Sequence, residues 1–427
     1  MMDTKPRAQL RRLVGLPGKA KRYLLDHGKA LLLGLAVLGG TLVGGAVLIV
    51  WSGLVPISAS SGHWPVTRWF LHFAMRNAVE TRASGIKAPM LSDPALVLKG
   101  AGHYATGCMP CHGAPGRPRS LIVQQMTPEP PLLAQRVHEW RPEQLFWIIK
   151  HGVKFTAMPA WASLQREDEV WAMVAFLQEL PTLSSERYVQ LAYGERDEAD
   201  AVGEAASGSL RALSEPMGPL LANCSRCHGA DGRGRGLGAF PKLAGQSEAY
   251  LRTSLLAYAE GERNSGIMQP IAAGLSEAEM RSLAAHYAGR EDAASQPARQ
   301  RANAGEPGAA IAGPASIARG RDIARQGVPE QGVPSCVDCH GPRSEPSNPH
   351  YPRLAGQYAD YLALQLSLFK SDKRGGSPYV RIMHSAAKGL DETQIRDVAS
   401  YYSSLAQDLG DQPETLPAQG ARRADSR

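Results

Sequence analysis

The sequence predicts an all-α protein: three small helical domains in tandem behind one N-terminal apolar helix. Three observations predict it. Every cysteine falls in one of three Cys-X-X-Cys-His motifs, and the motifs begin 116 and 112 residues apart, a period that fits one small domain plus a linker. Each stretch after a motif ends in an amphipathic helical pattern, with no convincing run of alternating strand residues. From Ala30 to Val50 there is no charged residue.

That uncharged run, ALLLGLAVLGGTLVGGAVLIV, is followed by Trp51. Its length as a helix is roughly 31 Å, which matches a bilayer core. Glycines are tolerated in such a helix, and Trp51 sits where an interfacial aromatic would. A cleaved signal peptide usually has an apolar region of only about 7–15 residues and a small-residue cleavage site. This run is longer, and Ser58-Ala59-Ser60 is a weak site, so the segment reads as an uncleaved anchor over 30–51.

The formal charge of +7 raises the question of nucleic acid. Its distribution argues against that partner. Lys5, Arg7, Arg11, Arg12, Lys19, Lys21, Arg22 and Lys29, against Asp3 and Asp26, put +6 of it ahead of the anchor. A basic flank before the span places residues 1–29 in the cytoplasm by the positive-inside rule. The rest is exported, into the periplasm if the source is bacterial. In the juxtamembrane segment, 52–89, Trp64, Trp69, Phe70, Leu71, Phe73 and Met75 mix with Arg68 and Arg76. This stretch reads either as a helix on the membrane surface or as one packed on the first domain.

The six cysteines form Cys108-Met109-Pro110-Cys111-His112, Cys224-Ser225-Arg226-Cys227-His228 and Cys336-Val337-Asp338-Cys339-His340. Cys-X-X-Cys-His is the signature of c-type haem attachment. Two thiols form thioethers to the vinyl groups of one haem, and the adjacent histidine is held beneath the iron. The motifs therefore predict three covalently bound haem c groups. Structural zinc usually takes four ligands, and three motifs would leave one pair over. Disulfides would leave the histidine after each pair unexplained.

The second and third domains repeat one another. Pro241-Lys242-Leu243-Ala244-Gly245-Gln246 matches Pro352-Arg353-Leu354-Ala355-Gly356-Gln357, Tyr250-Leu251 matches Tyr361-Leu362, and Met268 matches Met383. A thioether is the usual second axial ligand of an electron-carrying haem of this kind. Met383 is the one methionine after the third motif. In the second domain Met268 competes with Met280, which lies in the helical pattern SEAEMRSLAAHY and reads as core. In the first, Met126, Met158 and Met173 compete. Met158 falls in a loop, Thr156-Ala157-Met158-Pro159-Ala160-Trp161, whereas Met173 reads as core. His103, His138, His151, His286, His350 and His384 are rival imidazoles, and His384 abuts Met383.

With these motifs in place, each domain resembles a class I cytochrome c, a small all-α fold wrapped around one haem. The resemblance covers residues 90–182, 210–290 and 315–408, and the last two together look like the tandem di-haem cytochromes of the c-four type. It implies class I domains in tandem behind one transmembrane helix. It also implies a proline carbonyl accepting a hydrogen bond from each proximal imidazole, matching Pro241, Pro352 and, in the first domain, Pro130. The family's first helix crosses the last through a glycine and an aromatic, which Gly100 and Tyr104 fit. A Pro-interrupted approach at Met217-Gly218-Pro219-Leu220 and the insertion QGVPEQGVPS before Cys336 depart from that pattern.

Helices are predicted for Pro142 to Lys150, stopped by Gly152, and for Val170 to Leu180, Leu275 to Tyr287 and Leu390 to Leu405. Residues 183–209 and 291–314 read as linkers, and 409–427 as a disordered tail. The expected function is outer-sphere electron transfer with no catalytic residues: haem on Cys108, Cys111, Cys224, Cys227, Cys336 and Cys339, and iron between His112 and Met158, His228 and Met268, His340 and Met383. The expected setting is the inner membrane of a respiratory chain. Electrons would come from a quinol-oxidising complex or dehydrogenase and pass to a terminal oxidase or another cytochrome. A subunit of a membrane-bound alcohol or sugar dehydrogenase is the alternative.

Overall fold

The computed structural model describes residues 18–55, 57–194, 218–290, 313–341 and 346–405. Most of the basic leader, the linker reading from 195 on, nearly all of the second linker and the C-terminal tail lie outside the described residues. The described chain is helical, and its sole β-type pairings are two isolated bridges, Ala114 with Arg117 and Val328 with Val333. It divides into two units, Met1–Trp64 and Pro65–Arg427.

The first unit is built on α1, Gly18–Trp51. Asp26–Trp51 is long and apolar enough to cross a membrane, and none of its most apolar stretch is buried within the protein. The helix starts well before the uncharged run. The basic residues Lys19, Lys21 and Arg22 continue it because long straight side chains favour helix nearly as well as alanine does.

The second unit begins with α2, Pro65–Ala83. Its C-terminal half packs on the first domain. Val79 and Ala83 are buried, Glu80 accepts from Arg141 Nη2 at 2.8 Å and from Gln144 Nε2 at 2.6 Å, and Arg76 lies over the Trp140 ring. Trp69, Phe70 and Phe73 in the other half are exposed. Of the two readings of this stretch, packing on the domain takes the second half of the helix.

In the first domain α3, Pro94–Gly107, is started by Asp93, whose carboxylate accepts from Ala95 N–H. It leads into α4, Met109–His112, which carries the haem motif. Then come α5, Pro142–His151, ended by Gly152 at φ +65°, and α6, Glu167–Glu179. At the α3–α6 crossing a Cβ on Gly100 would overlap the Ala172 carbonyl oxygen and come within 2.6 Å of Phe176 Cβ. Tyr104 packs on Phe176 and donates its hydroxyl to Gly113 O at 2.6 Å.

The stretch expected to be linker from 183 onward differs. Ser185–Tyr193 is a helix, α7, whose Tyr188 and Ala192 are fully buried. Ser184 caps it by accepting from Arg187 N–H, and its apolar positions recur at helical spacing against α3. Polar residues on its outer face hid that pattern.

The second domain comprises α8, Gly218–His228, α9, Glu248–Ala259, α10, Met268–Ala273, and α11, Glu277–Ala288. The Cys-X-X-Cys-His motif forms the last turns of α8. The third comprises α12, Pro314–Gln326, α13, Val337–His340, α14, Ala359–Lys370, α15, Val380–Lys388, and α16, Glu392–Ser404. Despite the insertion before Cys336, α12 crosses α16 as α3 crosses α6: a Cβ on Gly320 would overlap the Asp397 carbonyl oxygen. The inserted residues close on themselves through the Val328–Val333 bridge, so the helix pair is undisturbed.

Candidate functional site

Each motif histidine is anchored in the same way. His228 Nδ1 donates to Pro241 O at 3.1 Å and His340 Nδ1 to Pro352 O at 2.9 Å. In the first domain His112 Nδ1 donates to Pro131 O at 2.9 Å, not to Pro130 as expected. Two prolines stand side by side there, and Pro130 O instead accepts from Arg119 Nη1. Burial pushes all three imidazoles down, against the proline hydrogen bond, which pushes them up. Each ring is thus neutral near pH 7, with Nδ1–H committed and Nε2 left as a lone-pair donor toward a metal. Burial also pushes the Cys108 thiol up to about 12 and those of Cys224 and Cys336 to about 11.

The second and third domains share one cavity of about 690 Å³. Cys224, Cys227, His228 and Met268 line it from one domain; Cys336, Cys339, His340 and Met383 line it from the other. The rest of the wall is largely apolar surface, with Leu251, Leu283, Leu362 and Val398 beside tyrosines such as Tyr287 and Tyr402. Met280 is buried in the core, as expected, and is not part of the wall. His384 is turned away. Its Nε2 donates to Arg374 O at 2.7 Å and its Nδ1 faces Asp372 at 3.2 Å. Met268 opens α10 and Met383 lies inside α15, each helix closing at a glycine, Gly274 or Gly389.

Two buried guanidiniums face this cavity. Arg263 Nη2 donates to Tyr361 OH at 3.2 Å, and Arg374 Nη2 to Tyr250 OH at 3.3 Å, each pair joining the two domains. Burial would push the Tyr250 phenol up, but Arg263 and Arg374 overcome it and bring it down to about 7. A porphyrin fits such a site: thiols, imidazoles and methionine residues in its lining, apolar surface for the ring, and cations for its carboxylates. The sequence reading missed these arginines, although they occupy matched positions in the two repeats.

The motif residues and Met158 of the first domain lie outside that cavity's wall, which Lys99, Thr106, Arg166 and Glu169 of the same domain reach. Cys108 ends α3, with its N–H donating to Tyr104 O, and His112 ends α4. Met158 lies in the loop after Gly152. Thr156 Oγ1 accepts from Met158 N–H at 3.1 Å and donates to Val153 O at 2.7 Å, which folds the loop back on α5. Met173 is buried in the core of α6, as read, and Met126 lies partly exposed beyond a short helical turn. His103 is half-buried in a T-shaped contact with Trp161, and removal of its ring from solvent pushes it down to about 4.

Comparison with known proteins agrees with this geometry. Residues 220–294 and 317–406 match the family model described as cytochrome c. Residues 95–177 match the model described as cytochrome c oxidase, cbb3-type, subunit III. The chain is 34% identical to the thiosulfate dehydrogenase electron acceptor of Stutzerimonas stutzeri (strain A1501), over 48% of this chain and 88% of that one. It is 33% identical to the protein of the same description from Thiomonas intermedia (strain K12), over 44% and 80%. It is 32% identical to cytochrome c4 of Pseudomonas aeruginosa, over 48% and 91%.

Proposed function

The chain belongs to the cytochrome c family, with haem c held covalently and electron transfer as its activity, and from that premise we propose a membrane-anchored relay of three haems. The three domains are 90–182, 210–290 and 315–408, behind an anchor at 30–51. The observation that carries this reading is the shared cavity, lined by Cys224, Cys227, His228 and Met268 from one domain and by Cys336, Cys339, His340 and Met383 from the other.

Cys108 and Cys111, Cys224 and Cys227, and Cys336 and Cys339 hold the three porphyrins as thioethers. His112, His228 and His340 would each offer a nitrogen to an iron, and Met158, Met268 and Met383 would each offer a sulfur. Bound haem contributes an iron that accepts and gives up one electron at a time. The protein's part is to hold that site rigid and dry. The proline carbonyls orient each imidazole, the apolar wall excludes water, and Arg263 and Arg374 balance carboxylate charge. With a nitrogen and a sulfur of the protein given to each iron, no substrate would need to bind it. The second and third domains would exchange electrons across the cavity they share.

Residues 1–29 lie in the cytoplasm and the haem domains in the periplasm, with α1 in the inner membrane. Electrons enter from a quinol-oxidising complex or a dehydrogenase and leave to a terminal oxidase or another cytochrome. The first domain's likeness to an oxidase subunit supports the exit. The chain's likeness to electron acceptors of thiosulfate dehydrogenase supports a second reading, in which a dehydrogenase alone is the donor.

The test is a redox titration of the purified full-length protein, with spectra resolving each haem, in the presence and absence of its membrane complexes. A haem-to-chain ratio of three and three low-spin transitions are expected. A ratio of two would remove one motif from the relay. A high-spin haem turning over peroxide would replace the carrier with an enzyme.

A further inference from the structure

The first and second domains meet where their methionine loops meet, and one carboxylate joins them. Glu169, in the first turn of α6, is 3% exposed. Its Oε1 accepts from the Ser265 hydroxyl at 2.7 Å and faces Arg166 Nη2 at 3.0 Å. Its Oε2 accepts from Gly266 N–H at 2.6 Å and from Trp161 Nε1–H at 3.2 Å. The Ser265 oxygen in turn accepts from Met268 N–H at 2.9 Å and from Ile267 N–H at 3.3 Å. Arg166, paired with Asp168 at 2.8 and 2.9 Å, donates to Asn264 O at 2.8 Å. Residues 264–268 of the second domain therefore hang on a carboxylate and a guanidinium of the first. Glu169, Arg166, Ser265 and Met268 all line the shared cavity.

Trp161 ties the other loop to the same point. It closes the stretch that carries Met158, with its N–H donating to Lys150 O at 3.0 Å. A Cβ on Gly266 would run into its indole, so the glycine is what lets the two loops touch. The repeat shows that this junction is particular to the second domain. From Arg263 to Met268 the chain advances five residues, whereas from the matching Arg374 to Met383 it advances nine. The loop was remodelled at the residues that meet Glu169.

We propose that Glu169 is a positioning residue for Met268, so that the redox poise of the second haem depends on the first domain. The proposal rests on the reading of Met268 as the sulfur ligand. Four donors converge on the carboxylate, and a carboxylate can accept from all four; an amide has one accepting end and one donating end. Glu169→Gln therefore turns a donor toward donors on one side and loosens the loop. A loosened sulfur favours the ferric iron and lowers the potential.

The test uses the full-length haem-loaded protein. Met268→Ala first identifies the haem that loses its far-red sulfur-to-iron absorption band. In Glu169→Gln the ferrous preference of that same haem falls about tenfold, which is 59 mV for a one-electron couple. Its far-red band weakens and the other two haems do not move. Ser265→Ala lies wholly within the second domain and keeps the test open if Glu169→Gln fails to fold. It shifts the same haem in the same direction, and the double variant goes no further than the larger single one. If Met268→Ala removes a band but both Glu169→Gln and Ser265→Ala leave that haem unshifted, the inference is overturned alone. If Met268→Ala removes no band, the ligand reading fails and the inference falls with it.

Discussion

Gln357 of the third domain grips both polar groups of Lys242 in the second: its Oε1 accepts from Lys242 N–H at 3.0 Å and its Nε2 donates to Lys242 O at 3.0 Å. Gln246 returns the same grip on Arg353, at 2.9 and 2.8 Å. The Lys242 nitrogen belongs to the same planar peptide unit as the Pro241 carbonyl that orients His228. A hydrogen bond at the N–H end of that unit polarises it and strengthens its carbonyl as an acceptor. Each glutamine therefore acts, through one peptide bond, on the imidazole of the opposite domain.

Replacing either glutamine is expected to have two effects. Gln357→Ala removes two hydrogen bonds from the buried Lys242 backbone, at about 0.5–1.5 kcal/mol for each bond, read by denaturant unfolding of the haem-loaded protein. It also weakens the pull on His228, so the potential of the second haem, not the third, rises. Gln246→Ala reverses the pattern. A potential change confined to the domain that carries the substitution would contradict the coupling.

The helix crossings give a sharper stability test. Gly100→Ala and Gly320→Ala each force a methyl group into a carbonyl oxygen of the facing helix. Overpacking of this kind typically costs about 1–3 kcal/mol, seen as a lower unfolding midpoint. Gly40→Ala in α1, where nothing lies within 4 Å, should leave that midpoint unchanged.

These crossings also show what the sequence made legible. Gly100 and Tyr104 fit the glycine and aromatic that the resemblance to class I cytochromes c implies ahead of Cys108, so the first crossing was readable. Gly320 lay hidden behind an insertion whose bridge returns the chain to its starting point. The element ending in Gln246 was visible as a repeat, but its partner is 107 residues away, and local pattern carries no information across that distance. Pro130 and Pro131 are chemically identical neighbours, and only the fold selects between them. Glu169 sits in the run Glu167-Asp168-Glu169, which reads as ordinary acidic charge at a helix start. Its junction role appears only when the second domain is packed against it.

The third domain should lose stability in acid through Asp397. Its buried carboxylate joins α16 to α12 by accepting from Arg319 Nε at 2.6 Å and Nη2 at 2.9 Å, and from the Ser316 hydroxyl. Burial opposes the charge, but these donors outweigh it and hold the carboxyl below its usual range. A folded-state value below the unfolded one gives stability that is fully present above about pH 4 and is lost as pH falls through the folded value. Unfolding midpoints measured from pH 6 downward should drop in that window. Asp397→Asn should start lower and show a smaller drop, and a parallel curve would rule out Asp397 as the group responsible.

The axial sulfurs can be counted by substitution. Met158→Ala, Met268→Ala and Met383→Ala should each remove one far-red sulfur-to-iron band and lower the potential of one haem, since methionine favours the ferrous state. Met126→Ala, Met173→Ala and Met280→Ala should remove none. His384→Ala separates the two candidates in α15. The imidazole is committed to the Arg374 carbonyl and to Asp372, so its loss should leave all three bands in place while loosening the turn that holds Arg374. If the third-domain band survived Met383→Ala, or vanished with His384→Ala alone, the sulfur assignment in that domain would be wrong, because the bond to Arg374 leaves His384 no free nitrogen directed at the cavity.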